Sequence, residues 1–582
     1  MKALFAAALL PVTLATAARA EPAVPTRAEP AFPARAEPPF PVRAEPVEAP
    51  RTISTQNDPS TSSGRMASVR AAPKLIVAIS VDQFSADLFA QYRNRWRYGF
   101  ARLLGGAVFP SAYQSHAATE TCPGHSTILT GMRPAHTGII ANQWVDQYVT
   151  RPDKQVYCAE DETAPGSTHD NYTVSDKHLR VPTLGEYLKR AQPNARVVSV
   201  AGKDRAAVMM GGHRVDELWW WDGRQFATYA GRTTPAAVAR ANAQVTMLIA
   251  TGQKPLPLPA FCAGLDRPIQ AGPVALGQGR FARAAGDVKR LRASPAFDAA
   301  VFGLATGLMA DMKLGRGPAT DLLIIGASAT DYIGHSFGTQ GTEMCIQMDQ
   351  LDRSLATLFT ALDRTGVDYE VMLTADHGAH DLPERQQQRA MTDTRLDPAV
   401  SVAAVGRAIG AALALPGPVL LAAESDVTID HALPPAARAR VLTEALARFR
   451  EMPQVAAALP RGDIAATPMP SGPPETWTLL ERARASWDEQ RSGDFLLIFK
   501  PRVTPIPTPA SGYVETHGSP WDYDRRVPLV FWRKGMTGFE QPLSVETVDI
   551  APTLAATINV PLPPLDGRCL DLDPGPADTC RP

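Results

Sequence analysis

The sequence predicts an α/β protein with a central, mainly parallel sheet flanked by helices. Four apolar, β-rich runs each lead into polar, chemically capable residues, and long stretches with helical spacing separate them. Strand, polar end and helix in alternation is the pattern of an open sheet that binds its ligand beyond the strands' C-terminal ends.

The run Leu75-Ile-Val-Ala-Ile-Ser-Val81 has no polar face, as expected of a strand buried on both sides, and it ends in Asp82. Residues 196–201 lead into Gly202-Lys203-Asp204-Arg205, residues 321–325 toward Asp331 and His335, and residues 369–375 into Asp376-His377. Helical spacing predicts helices over 84–104, 235–249, 297–314 and 342–362; in the last, Met344 and Met348 share a face with Leu351, Leu355 and Leu358 and read as core. An Ala-, Arg- and Pro-rich interval at about 382–493 interrupts the alternation with helices near 400–413 and 435–448 and a short strand at 419–422, which reads as an inserted cap. The core is then expected to resume with strands at 494–500 and 527–532 and to close with a helix over 545–558.

The N-terminus has a different character. Lys2, an apolar run to about Ala17, and Ala18 and Ala20 make the pattern of a secretory signal cut after Ala20. Arg-Ala-Glu-Pro then recurs at Arg19, Arg27, Arg35 and Arg43, so residues 21–72 read as an extended Pro-rich linker, with the catalytic domain over 73–582. The 582-residue chain is 45% hydrophobic and has 58 Lys+Arg against 59 Asp+Glu, a net charge of -1. That balance, without a basic block, gives no nucleic-acid-binding surface, and no run after the signal is long enough to span a membrane. Six cysteines in an exported chain allow fifteen complete pairings; Cys569 and Cys580 are close enough in sequence to suggest a tail clip. Oligomeric state is not readable.

Asp82, Asp331, His335, Asp376, His377 and His517 are the candidate metal ligands. Zn²⁺ accepts both imidazole and carboxylate, whereas Ca²⁺ and Mg²⁺ favour oxygen shells, so two zinc ions fit this mixed set best. His125, His136 and His380 read as structural or supporting residues. Thr121, in Thr121-Cys-Pro-Gly-His-Ser-Thr, precedes a proline suited to a helix's first turn; it is either a nucleophile at a helix N-terminus or an ordinary cap.

These strings, with Gly138-Ile-Ile-Ala-Asn142-Gln-Trp, Gly202-Lys203-Asp-Arg205, Thr516-His517-Gly-Ser and Val548-Asp-Ile-Ala-Pro-Thr-Leu-Ala, resemble the PafA-type alkaline phosphatases across nearly all of residues 74–572. The resemblance implies an alkaline phosphatase-like α/β sandwich and hydrolysis of phosphate monoesters of broad specificity. Thr121 would attack phosphorus to give a phosphothreonine, which a zinc-bound hydroxide would hydrolyse, releasing inorganic phosphate. By the same match, Asp82, Asp376 and His377 would bind the zinc that also binds Thr121, and Asp331, His335 and His517 the other. Asn142, Lys203 and Arg205 would form the phosphate clamp. A monoester carries about two charges on three non-bridging oxygens, so the cationic pair favours it over a diester. Three alternatives remain: a phosphodiesterase or nucleotide pyrophosphatase, which would share the metals but not Lys203 and Arg205; a sulfatase, for which Cys122 lacks the maturation motif; and a non-enzymatic metal-dependent binding protein, which would be expected to lose part of this set.

Overall fold

The run Leu75–Val81 forms the middle strand of a ten-stranded sheet in the computed structural model, which describes residues 71–152 and 154–581. The expected signal segment and nearly all of the expected linker lie outside the described residues. Every residue of Leu75–Val81, Asp321–Ala327 and Tyr369–Thr374 is buried, which is why these strands read as mostly apolar runs with no polar face. Leu75 pairs in register with Asp321 on one side and Tyr369 on the other, both parallel. Val197–Ala201 and Glu217–Trp221 continue the parallel set, whereas Arg526–Arg533 and Ala107–Tyr113 close the other side antiparallel. The sheet is thus mainly parallel, as expected.

The predicted helix over 84–104 is two short helices, Ala86–Tyr92 and Gly99–Leu103. The break has a local cause: the Asp352 carboxylate accepts the N–H groups of Arg97, Tyr98 and Phe100 at 2.9, 3.0 and 2.7 Å, which caps the second helix from outside. Gly99 is required there, because a Cβ would meet Leu355 Cβ at 2.4 Å. The helix Thr342–Thr365 buries Met344, Met348, Leu351, Leu355 and Leu358 against the sheet core and ends at Gly366, whose φ of 69° is the left-handed conformation that favours glycine. Trp219, Trp220 and Trp221 are buried too, Trp221 against Phe226 and Phe297, so this aromatic string is core.

Two further expectations are corrected: the closing helix expected over 545–558 is the shorter Ile550–Thr557, preceded by the edge strand Val545–Glu546, and one strand lies in another sheet. The strand Phe495–Phe499 does not return to the main sheet; it lies inside a separate antiparallel sheet between Asp426–Ile429 and Val455–Pro460, with Leu420–Ala423 at the edge. Phe495 and Leu497 pack with Val405, Ile409, Val441 and Phe449 from the helices Val402–Leu413 and Pro435–Glu451. A five-residue apolar strand looks alike in either sheet, and only the pairing tells them apart. The segment expected as a cap therefore extends past residue 493, and its ends meet where Thr394–Arg395 pairs with Val503–Thr504.

Three disulfides join Cys122 to Cys158, Cys262 to Cys345 and Cys569 to Cys580. The tail clip is the pair expected from spacing. The other two span 36 and 83 residues and had no local signal.

Candidate active site

Parallel pairing brings the C-terminal ends of the strands to one edge, and the chemically capable residues follow those ends. Asp82 continues Leu75–Val81, its N–H donating to Ala327 O at 3.0 Å. Asp331 and His335 are one turn apart on the helix Ala329–Phe337 that follows Asp321–Ala327. Asp376 and His377 follow Tyr369–Thr374. His517 arrives on the loop before Arg526–Arg533, and Thr121 opens the helix Thr121–Ile128. Glu120, not Thr121, is the helix cap, so Thr121 is not engaged in the ordinary capping role.

The imidazoles share one arrangement. Nδ1 of His335 donates to Glu515 O at 2.8 Å, that of His377 to Gly378 O at 3.0 Å, and that of His517 to Thr119 O at 2.9 Å. Each Nε2 is then the bare nitrogen, and each faces carboxylate oxygen: His335 and His517 stand 3.4 and 3.3 Å from Asp331 Oδ1, and His377 stands 3.2 Å from Asp376 Oδ2. A lone pair opposite a carboxylate oxygen is repulsive unless a proton or a cation lies between them. Asp331 Oδ1, Asp376 Oδ2 and His377 Nε2 are buried without a hydrogen-bond partner, an expensive condition that bound cations relieve. Two groups of donor atoms close enough to share an ion result: Asp331, His335 and His517; and Asp82, His125 and Asp376. Both groups fit metal ions; in the second, His125 stands where His377 was expected, and His377 reaches the same group through Asp376 Oδ2.

His125, read from the sequence as a structural or supporting residue, lies among the carboxylates. Its Nδ1 donates to Thr121 O at 2.8 Å, and its Nε2 lies 3.3 Å from Asp82 Oδ1, buried completely. The available signal was its spacing, one helical turn after Thr121. His136, at 2.7 Å from Asp566 Oδ2, and His380, at 3.0 Å from Thr504 Oγ1, bond elsewhere in structural roles.

The cationic side of the site closes on Thr121. Lys203 Nζ lies 2.6 Å from Asp331 Oδ2, 3.1 Å from Asp82 Oδ2 and 3.3 Å from Thr121 Oγ1. Burial opposes its charge, but Asp331 and Asp82 outweigh burial and hold its pKa above the usual lysine value. Burial likewise opposes the Asp331 charge, and Lys203 and His335 overcome it, keeping that carboxyl well below its usual range. Arg205 Nη2 is 3.4 Å from Thr121 Oγ1. Asn142 Oδ1 accepts the Cys122 N–H at 2.9 Å, which leaves its amide NH₂ as the donor for a ligand. A cavity of about 230 Å³ adjoins the site between His517 and Glu120 on the core side and Glu424 and Phe495 on the cap.

The profile of the type I phosphodiesterase / nucleotide pyrophosphatase family matches residues 76–520, and the chain belongs to that family. Alkaline phosphatase PhoK of Sphingomonas sp is 54% identical over 517 residues, covering 87% of this chain and 92% of that protein. Alkaline phosphatase PhoD of Zymomonas mobilis subsp. mobilis is 48% identical over 517 residues, covering 87% and 89%. With these relatives the chain groups among the alkaline phosphatases, which are hydrolases. The crystal structure of wild-type alkaline phosphatase PafA shares the fold, with a TM-score of 0.74 at 24% identity over 86% of this chain and 99% of that one.

Proposed function

We propose that the protein is an exported, two-zinc phosphomonoesterase that works through a phosphothreonine at Thr121. The observation that carries the reading is the convergence of Lys203 Nζ and Arg205 Nη2 on Thr121 Oγ1 at 3.3 and 3.4 Å, beside two groups of metal-ligating side chains.

Asp331, His335 and His517 would hold one ion, and Asp82, Asp376 and His377, with Thr121, the other. Bound there, the ions lower the pKa of the Thr121 hydroxyl and offset charge on the phosphoryl oxygens. The mixed nitrogen and oxygen donors favour zinc. His125 holds the first helical turn by its bond to Thr121 O. Thr121 Oγ1 attacks phosphorus, the bond to the ester oxygen breaks, and the alcohol departs with its electron pair. Water then attacks the phosphothreonine, Thr121 Oγ1 leaves, and inorganic phosphate is released. Through both steps Lys203, Arg205 and Asn142 donate to the non-bridging oxygens, where a monoester carries more charge than a diester. The apolar run of residues 3–17 and the three disulfides support an oxidising compartment outside the cytoplasm. Among the described residues no helix is long and apolar enough to cross a membrane.

The test is turnover of 4-nitrophenyl phosphate against bis(4-nitrophenyl) phosphate by the zinc-loaded enzyme and its Lys203→Ala/Arg205→Ala variant. The monoester should be preferred by orders of magnitude, and the variant should lose mainly that activity. A diester preference, or an indifferent variant, returns the site to the diesterase reading.

A further inference from the structure

Arg205 carries its charge on a long side chain, and a guanidinium orients an anion well only if something holds its plane. One of its arms is held. Arg205 Nη1 donates to the Tyr157 hydroxyl at 3.2 Å, while Nη2 reaches toward Thr121 Oγ1 and the buried Nε has no hydrogen-bond partner. The Tyr157 hydroxyl in turn donates to Asp204 Oδ1 at 2.8 Å. Having one proton and giving it to a carboxylate, the phenol presents a lone pair to Arg205.

Asp204 has no freedom to release Tyr157. Its Oδ1 also accepts the Arg205 backbone N–H at 2.7 Å, and its Oδ2 accepts the Tyr172 hydroxyl at 2.7 Å. The rings of Tyr157 and Tyr172 lie 4.4 Å apart between centroids. Tyr157 itself ends the strand Gln155–Tyr157, which pairs with Gln143–Val145, so the two ends of one hairpin carry Tyr157 and, one residue before its partner strand, Asn142. Cys158 is bonded to Cys122, the neighbour of Thr121, and its N–H donates to Asn142 O at 2.9 Å. The hairpin is therefore tied to the helix that presents the nucleophile.

We propose that Tyr157, fixed by Asp204, is a positioning residue that sets the Arg205 guanidinium over Thr121 for a dianionic phosphoryl group. This rests on the assignment of Lys203, Arg205 and Asn142 as the phosphate clamp. Tyr157 acts through Arg205, so its contribution belongs to the charge-rich monoester and not to the metal-dependent chemistry that a diester shares. Buried packing of the ring is a separate role, which phenylalanine retains.

The experiment uses the metal-loaded enzyme with Tyr157→Phe, Arg205→Ala, the double variant and Asp204→Asn, assayed on 4-nitrophenyl phosphate and bis(4-nitrophenyl) phosphate. Tyr157→Phe should lower kcat/KM for the monoester about tenfold, the loss of one charge-assisted hydrogen bond, and leave the diester rate within about twofold. Inhibition by inorganic phosphate should weaken in parallel, with Tm and bound metal unchanged. Asp204→Asn should shift the same ratio in the same direction. In the Arg205→Ala background, Tyr157→Phe should have no further effect, because the arm it holds is gone. Equal losses on both esters, no loss on either, or additive losses in the double variant, overturn the positioning role while leaving the clamp in place. If Arg205→Ala itself leaves the ester ratio unchanged, the clamp assignment fails and this inference with it.

Discussion

The main sheet and the cap sheet are built from similar apolar strands, yet the main sheet carries every candidate ligand that lies on or just past a strand end, and the cap sheet carries none. Direction accounts for the difference. Leu75–Val81, Asp321–Ala327, Tyr369–Thr374 and Val197–Ala201 run parallel, so Asp82, Asp331, Asp376-His377 and Lys203 emerge at the same edge. In the cap, Leu420–Ala423, Asp426–Ile429, Phe495–Phe499 and Val455–Pro460 alternate in direction, and their ends are divided between two edges. Parallel pairing collects chemistry, whereas antiparallel pairing makes a wall, here one side of the cavity next to His517 and Glu120.

The comparison breaks most severely at Asp331, which faces Lys203 and the imidazoles of His335 and His517 at once. Asp331→Ala, or removal of metal by a chelator, should lower turnover of both ester classes by at least about a thousandfold. Metal content measured beside both rates checks this; a variant that keeps its metal and either activity would separate Asp331 from the metal group. In the cap, Leu497→Ala removes a buried side chain from its separate core and should cost about 3 kcal/mol of cap stability. Thermal unfolding should show a lowered or separate cap transition, while monoester turnover at 25 °C and bound metal remain near wild type. Equal loss of cap stability and of bound metal would mean that the two sheets fold as one unit.

The smallest effect is expected at the seam. Ser486, at the end of the helix Leu479–Ser486, accepts the Ala117 N–H at 2.9 Å beside His116, which is completely buried. Burial and the Arg525 charge push the His116 pKa down to about 3, so the folded protein holds this ring neutral. The unfolded chain takes up a proton below about 6.5, and stability is therefore lost as pH falls from there toward 3, by at most about 1.4 kcal/mol per pH unit. Tm compared at pH 7 and 5.5 should show the decline, and His116→Gln should flatten it.

The strands of the main sheet were legible because a strand buried on both faces is made mostly of apolar residues, and a charged residue just past its end is then conspicuous. Asp82 and Asp376-His377 were readable for that reason. Phe495–Phe499 was legible as a strand but not as part of the cap, since five apolar residues do not name their partner. His125 looked like a structural helix residue because its significance depends on Asp82 and Asp376, both far away in sequence. Tyr157 left no signal, and Asp204 stood out only as part of the polar run 202–205: a tyrosine ending a short strand and an aspartate opening a helix are ordinary until Arg205 lies between them and Thr121.

By itself the sequence determined the class of fold and the chemical inventory at the strand ends and suggested the tail disulfide, because hydrophobic runs, residue type and short loop spacing are local properties. Tertiary structure alone decided which sheet received Phe495–Phe499, how the remaining cysteines pair, that His125 borders the carboxylates and that Tyr157 holds Arg205. Those are contacts between segments distant in the chain, and their energies depend on distance and burial that no local pattern encodes.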